Sequence, residues 1–162
     1  MTLDDLIKNL KTRYEIIIGF PKDKQVTYPP DRRKGRELNK GGQSVASVAA
    51  IQEYGKKGSY WAELKGKKTI DIPSRPFLRT ALRKNRARII KQVKEALLDP
   101  KNKEILFEAI GIDMVDKVQD SILHGNWQPN SPRTIAIKKS SKPLIDRSIM
   151  INAVRSEVKK YR

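Results

Sequence analysis

The segment from Pro76 to Leu98 constrains the fold more than any other. At about 100° per residue, Leu78, Leu82, Ile89, Val93 and Ala96 fall within roughly 60° of arc. Arg79, Arg83, Lys84, Arg86, Arg88, Lys91 and Lys94 take up the rest of the surface, and the first acid is Glu95. So narrow an apolar stripe must lie along another apolar surface, leaving a strongly positive face outward. Ser74 can cap the start, with Pro76 near the first turn, where a missing N–H costs nothing. Asp99-Pro100 breaks the helix. A second helical pattern follows from about Lys101 to His124, carrying Ile105, Leu106, Ala109, Ile110, Met114, Val118 and Ile122, and Gly125 ends it. Two long helices with so short a link predict an antiparallel hairpin. Gly111 inside the second predicts either a kink or close packing.

The flanking segments change period. Tyr14-Glu15-Ile16-Ile17-Ile18-Gly19-Phe20 is rich in β-branched and aromatic residues and ends at Pro21, which reads as a strand. Thr69-Ile70-Asp71-Ile72 reads as a short strand running into Pro73-Ser74-Arg75-Pro76. Residues 153–160 alternate weakly enough to form another. Residues 2–11 predict an amphipathic helix capped by Thr2, with Leu3, Leu6, Ile7 and Leu10 on one face. Ser44 to Tyr54 predicts a helix stopped by Gly55, and 144–152 a helical turn. Residues 21–43, 56–68 and 126–143 are irregular and polar. A compact domain seldom carries a loop as long as 21–43 without a reason: either it is disordered, or it orders on a partner. The expected fold class is α+β: a small antiparallel or mixed sheet packed with a long helical hairpin. A single domain spans 1–162, with 21–43 and 56–68 as long loops and 126–162 as a C-terminal arm and strand region.

Composition excludes several chemistries. The 162 residues include no Cys and one His, so disulfides, thiolate metal sites, thiol nucleophiles and paired catalytic histidines are absent. His124 sits at a helix end, where an imidazole can meet free carbonyls. Asp113, Asp116 and Asp120 are spaced by three and four, which puts them on one helix face. They could serve a Mg²⁺-dependent nuclease, but a solvated helix face is the commoner use of such a pattern. Gly41-Gly42 lacks the GK[ST] of a phosphate loop. No enzymatic activity, cofactor or metal is expected. No apolar run reaches the ~18 residues of a membrane span, and MTLDDLIKNL has no apolar signal region, so a cytoplasmic protein is expected.

The net charge is +17, divided evenly between the two halves of the chain. Such a surface attracts polyanions, whether nucleic acid, acidic protein or anionic lipid, or is simply solvated. Arg32 and Arg33 in the first loop, with Arg83, Lys84, Arg86, Arg88 and Lys91 on the long helix, are the candidate polyanion-facing residues. Aromatic residues make up only 6%, which offers no base-stacking platform. Nucleic-acid binding would therefore be non-specific phosphate contact.

One pairing is more specific than composition. Ala49-Ala50-Ile51-Gln52-Glu53-Tyr54-Gly55 closes a small-residue helix. After a variable loop, Ile72-Pro73-Ser74-Arg75-Pro76-Phe77-Leu78-Arg79 opens the long one. Gly125-Asn126-Trp127-Gln128-Pro129-Asn130, Thr134, Lys138 and Lys142-Pro143-Leu144-Ile145-Asp146 follow. In this order, and behind the Ile-Ile-Ile-Gly strand, these motifs resemble the tail-completion and virion-morphogenesis proteins of tailed bacteriophages, including the minor tail protein Z type. The resemblance covers roughly residues 14–158. Arg147-Ser148-Ile149-Met150 stands where that family usually has Thr-Gly and a following Leu.

The resemblance implies a structural virion protein without turnover or cofactor. It would form a ring of six copies at the neck, with connector or stopper proteins on the head side and the tail terminator or tube on the other. It would be assembled in the host cytoplasm, without a membrane, beside passing DNA. Glu53, Tyr54, Arg75, Phe77, Arg79 and Trp127 are then the candidate subunit or partner contacts. Arg75 and Arg79 could meet Glu53 or an acid on a neighbouring subunit, or the motif could be only a strand-to-helix corner. The alternative function is a basic, non-sequence-specific nucleic-acid-binding module.

Overall fold

Three consecutive β-branched residues, Ile16 to Ile18, centre strand β1 (Arg13–Gly19). In the computed structural model, which describes residues 12–21, 26–29, 44–58, 71–99 and 101–161, β1 pairs antiparallel with β2 (Arg155–Tyr161) from the far end of the chain. Ile16 faces Val158 and Tyr14 faces Lys160 across the ladder. Tyr14, Ile16 and Val158 pack inward. The opposite face is polar: the Tyr161 hydroxyl donates to Glu15 Oε2 at 2.8 Å. That bond to a carboxylate holds the phenol above its usual pKa.

Between the strands, the described residues form five helices: α1 (Val45–Tyr54), α2 (Phe77–Leu98), α3 (Lys103–His124), α4 (Pro132–Lys138) and α5 (Ile149–Asn152). The architecture is α+β, with the α2–α3 hairpin packed against the two-stranded antiparallel sheet. Asp99 shapes the hairpin link. Its Oδ1 accepts from the backbone N–H groups of Lys101 and Asn102, each at 3.2 Å, and its Oδ2 accepts from the Asn102 side chain at 2.9 Å. These donors, the Asn102 side chain foremost, hold the carboxyl below its usual pKa. At the other end of the hairpin, Ser121 Oγ donates to Phe77 O at 2.9 Å.

Two hydrophobic clusters form among the described residues. The first gathers Val45 and Ala49 of α1, Phe77 and Ala81 of α2, Val118 and Ile122 of α3, and Met150, Ile151 and Val154 of the C-terminal segment. The second lies between the hairpin tip and the sheet. There Ala96, Phe107 and Ile110 meet Tyr14, Ile16 and Val158, and the Tyr14 and Phe107 ring centroids are 4.9 Å apart.

Gly111 is explained by close approach. Helix α3 runs unbroken through it, and a Cβ there would sit 2.9 Å from both Cβ and Oγ of Ser156 on β2. The glycine lets the sheet seat directly on the helix backbone.

Two expectations are corrected. Residues 126–143 are not wholly irregular. Ser131 Oγ accepts from Thr134 N at 3.3 Å, Pro132 occupies the first turn, and α4 ends at Lys139 in the left-handed region. That is the ordinary Ser-cap and Pro start of a helix. The strand at 69–72 shrinks, within the described residues, to a single bridge between Ile72 and Lys56. The helix expected at 2–11, most of both long loops, and Thr69-Ile70 lie outside the described residues. Among the described residues, no helix is long and apolar enough to cross a membrane.

Replacing Gly111 with Val drives a branched side chain into Ser156. Overpacking of this kind costs about 1–3 kcal/mol, so the thermal midpoint should fall by several degrees. An unchanged midpoint would show that the sheet does not seat there.

Candidate interaction site at the α1–α2 junction

The site begins where α1 stops. Gly55 adopts φ +76°, and its N–H bonds to Ile51 O at 2.8 Å. A Cβ there would lie 2.9 Å from Ile72 O and from Ser74 N. The chain after Asp71 can therefore run back hard against the helix end, and Lys56 and Ile72 exchange backbone hydrogen bonds of 2.9 and 2.8 Å. This return brings Ser74, Arg75 and Pro76 alongside the last turn of α1.

Helix α2 has no side-chain cap of its own, because Pro76 occupies the capping position. Ser74, the expected cap, instead donates its hydroxyl to Glu53 O at 2.7 Å. The cap comes from α1. Glu53 Oε2 accepts from Leu78 N at 2.9 Å, and Oε1 accepts from Arg79 N at 3.1 Å and Arg79 Nε at 2.9 Å. Arg79 Nη2 then donates to Glu53 O at 3.0 Å. The positive end of α2 thus meets a carboxylate, and the negative end of α1 meets a guanidinium. Outside this pair, the Arg79 guanidinium lies 4.8 Å from the centroid of the Tyr54 ring.

Arg75 makes a different joint. Its backbone N–H donates to Gln52 O at 2.6 Å. Its Nη1 donates to Gln52 Oε1 at 2.6 Å, Nε to Gln128 O at 2.8 Å, and Nη2 to Pro129 O at 3.2 Å and Asn130 Oδ1 at 3.3 Å. All these acceptors are neutral. Burial lowers the guanidinium pKa, but from so high a start that it stays cationic. Only a guanidinium has the planar fork to reach both segments at once.

The 128–130 arm is tied further down. Asn130 Nδ2 and Lys138 Nζ both donate to Lys142 O at 3.1 Å. Leu144 is buried, and Leu144, Arg147 and Ser148 have φ of 60°, 54° and 55°. Arg147-Ser148 therefore adopts the left-handed backbone that a glycine would take more easily. An open groove of about 230 Å³ lies beside this arm, lined by Tyr28, Gln52, Asn130, Thr134, Asp146 and Met150 among others. Burial, and then Asp146, raise the Tyr28 pKa.

The expected contact residues therefore divide. Glu53, Arg75 and Phe77 are only 3%, 4% and 1% exposed. Their bonds and packing are internal, which corrects their assignment to a subunit or partner surface. Arg79 meets Glu53; Arg75 does not. Tyr54, 69% exposed, and the Arg79 side chain remain at the surface. Trp127 is half-buried, donating Nε1–H to Ser121 O at 2.9 Å.

The expected polyanion face also divides. Arg83, Lys84 and Arg86 are exposed and form no ion pair with a described residue. Arg88 is paired with Asp113, and Lys91 approaches Glu95 at 4.0 Å, an exposed contact worth little. Arg32 and Arg33 lie outside the described residues. The three aspartates of α3 do not converge: Asp113 turns to Arg88, and Asp120 meets His124 Nδ1 at 2.8 Å. His124 thus pairs with an acid one turn back along its own helix. Among the described residues, no three His, Asp or Glu side chains group as metal ligands.

No family model, no curated protein and no solved structure matches this chain.

Sequence reasoning missed Gln52, Gln128, Pro129 and Asn130 as the partners of Arg75. No local signal could have found them, since 23 to 55 residues separate them from it.

Two substitutions test the junction. Glu53→Ala strips two backbone N–H groups of their acceptor and should cost about 1–3 kcal/mol in denaturant unfolding. A cost near zero would mean the carboxylate is dispensable as a cap. Arg75→Lys keeps the charge but loses the fork, so the arm should loosen. In a Trp61→Phe background, Trp127 emission should shift to the red and cleavage within 126–131 should speed up. Unchanged emission and cleavage would show that the arm is held without Arg75.

Proposed function

We propose that this chain is a structural protein of a tailed-phage virion, a tail-completion subunit that joins head and tail at the neck. One observation carries the reading. The stretches behind the resemblance, around Gln52–Gly55, Ile72–Arg79 and Trp127–Asn130, meet at one joint through Glu53 and Arg75. Unrelated short matches have no reason to converge on one joint. In this reading the chain forms a ring of six, bounded by connector or stopper proteins on the head side and the tail terminator or tube on the other. A neck is also crossed by DNA, which suits the net charge of +17.

Arg83, Lys84 and Arg86, exposed and without an ion pair among the described residues, favour a second reading, a module that grips nucleic-acid phosphates without reading sequence. Electron microscopy of lysates from a phage lacking this gene separates the two. Full heads beside finished, unattached tails are the expected outcome. Normally joined particles would overturn the neck reading. Duplex DNA binding by the purified protein that weakens steeply with salt would then favour the second.

A further inference from the structure

The hairpin exposes two unlike faces. On α2, Arg79, Arg83, Arg86, Ile90 and Leu97 fall within roughly 60° at 100° per residue, and Ile90 and Leu97 are exposed. On α3, Ile105, Ala109, Ile112, Asp116 and Leu123 fall within a similar arc. Ile105 and Ile112 there are 66% and 63% exposed. Glu108 and Asp116 on this side form no ion pair with a described residue. One face is thus basic with apolar residues along it, and the other apolar with exposed acids.

We propose that copies of this chain associate through these unlike faces, the basic face of α2 on one copy against the acidic, apolar face of α3 on the next. Charge decides the pairing. Two α2 faces would oppose arginine with arginine, and two α3 faces acid with acid; like charges so placed are unfavourable. The unlike pairing offers Arg83 and Arg86 the carboxylates of Glu108 and Asp116, and takes exposed apolar side chains of both faces out of water. This local attraction acts against the general repulsion between copies that each carry a net charge of +17. Because each copy keeps one free face of each kind, the contact repeats head to tail, as rings and filaments require. Its placement in a neck ring rests on the function proposed above; the contact itself uses only the two faces.

Sedimentation velocity of the full chain over a range of concentration and salt tests this. The wild type should associate reversibly, less so as salt rises. Arg83→Glu with Arg86→Glu, and separately Glu108→Lys with Asp116→Lys, should each weaken association by about tenfold or more. Both alter exposed side chains, so circular dichroism should report an unchanged fold. An equimolar mixture of the two variants should associate again, because each then offers the charge that the other needs. A wild type that stays monomeric would overturn the contact, as would variants that associate as the wild type does. So would an arginine variant that loses only its retention of duplex DNA. None of these outcomes bears on whether heads and tails join without the gene, so the two proposals fail separately.

Discussion

The Glu53 carboxylate is the interaction on which the rest of the arrangement depends. Helix α2 begins behind a proline and has no polar side chain of its own to satisfy its first N–H groups. Left bare and buried, those donors would cost about 1–3 kcal/mol, a sizeable share of the stability of a marginal fold. Glu53 supplies the acceptor from the end of another helix, so the end of α1 stabilises the start of α2. The positions of Phe77 in the core and of Arg79 at the rim follow from that contact.

Arg75 extends the same joint to a third segment. A buried cation with only neutral acceptors is an unusual choice, since it gains no opposite charge to offset desolvation. What it gains is reach: one planar group gathers a side-chain amide of α1 and two carbonyls of the arm. The resulting corner is rigid, while the residues left at its surface, Tyr54 and Arg79, are few. The larger exposed charged and apolar surface lies instead on the hairpin.

The hairpin divides its charge between its two helices. Bases crowd the outer side of α2, whereas α3 carries acids among exposed isoleucines. Part of that charge is spent inside the chain, in the pairs Arg88–Asp113 and Asp120–His124. The remainder, which forms no ion pair among the described residues, is Arg83 and Arg86 on one helix and Glu108 and Asp116 on the other, and it gives the surface its direction.

Much of the scaffold was legible in the sequence, because it rests on local physics. The 3.6-residue stripe of Leu78, Leu82, Ile89, Val93 and Ala96, the Asp99-Pro100 break and the β-branched run at Ile16 to Ile18 each act over a few residues. They determined the helical hairpin, the first strand and the α+β class. The short α4 was legible too, in Ser131-Pro132, but lay within a stretch whose prolines spoke for irregularity. Tertiary structure alone decided what Gly111, Glu53 and Arg75 are for. A close approach of strand to helix, a cap lent by another helix and a clasp on carbonyls more than fifty residues away leave no periodic trace. They depend on where the return of the chain past Gly55 and the antiparallel pairing of the two strands bring distant backbone groups.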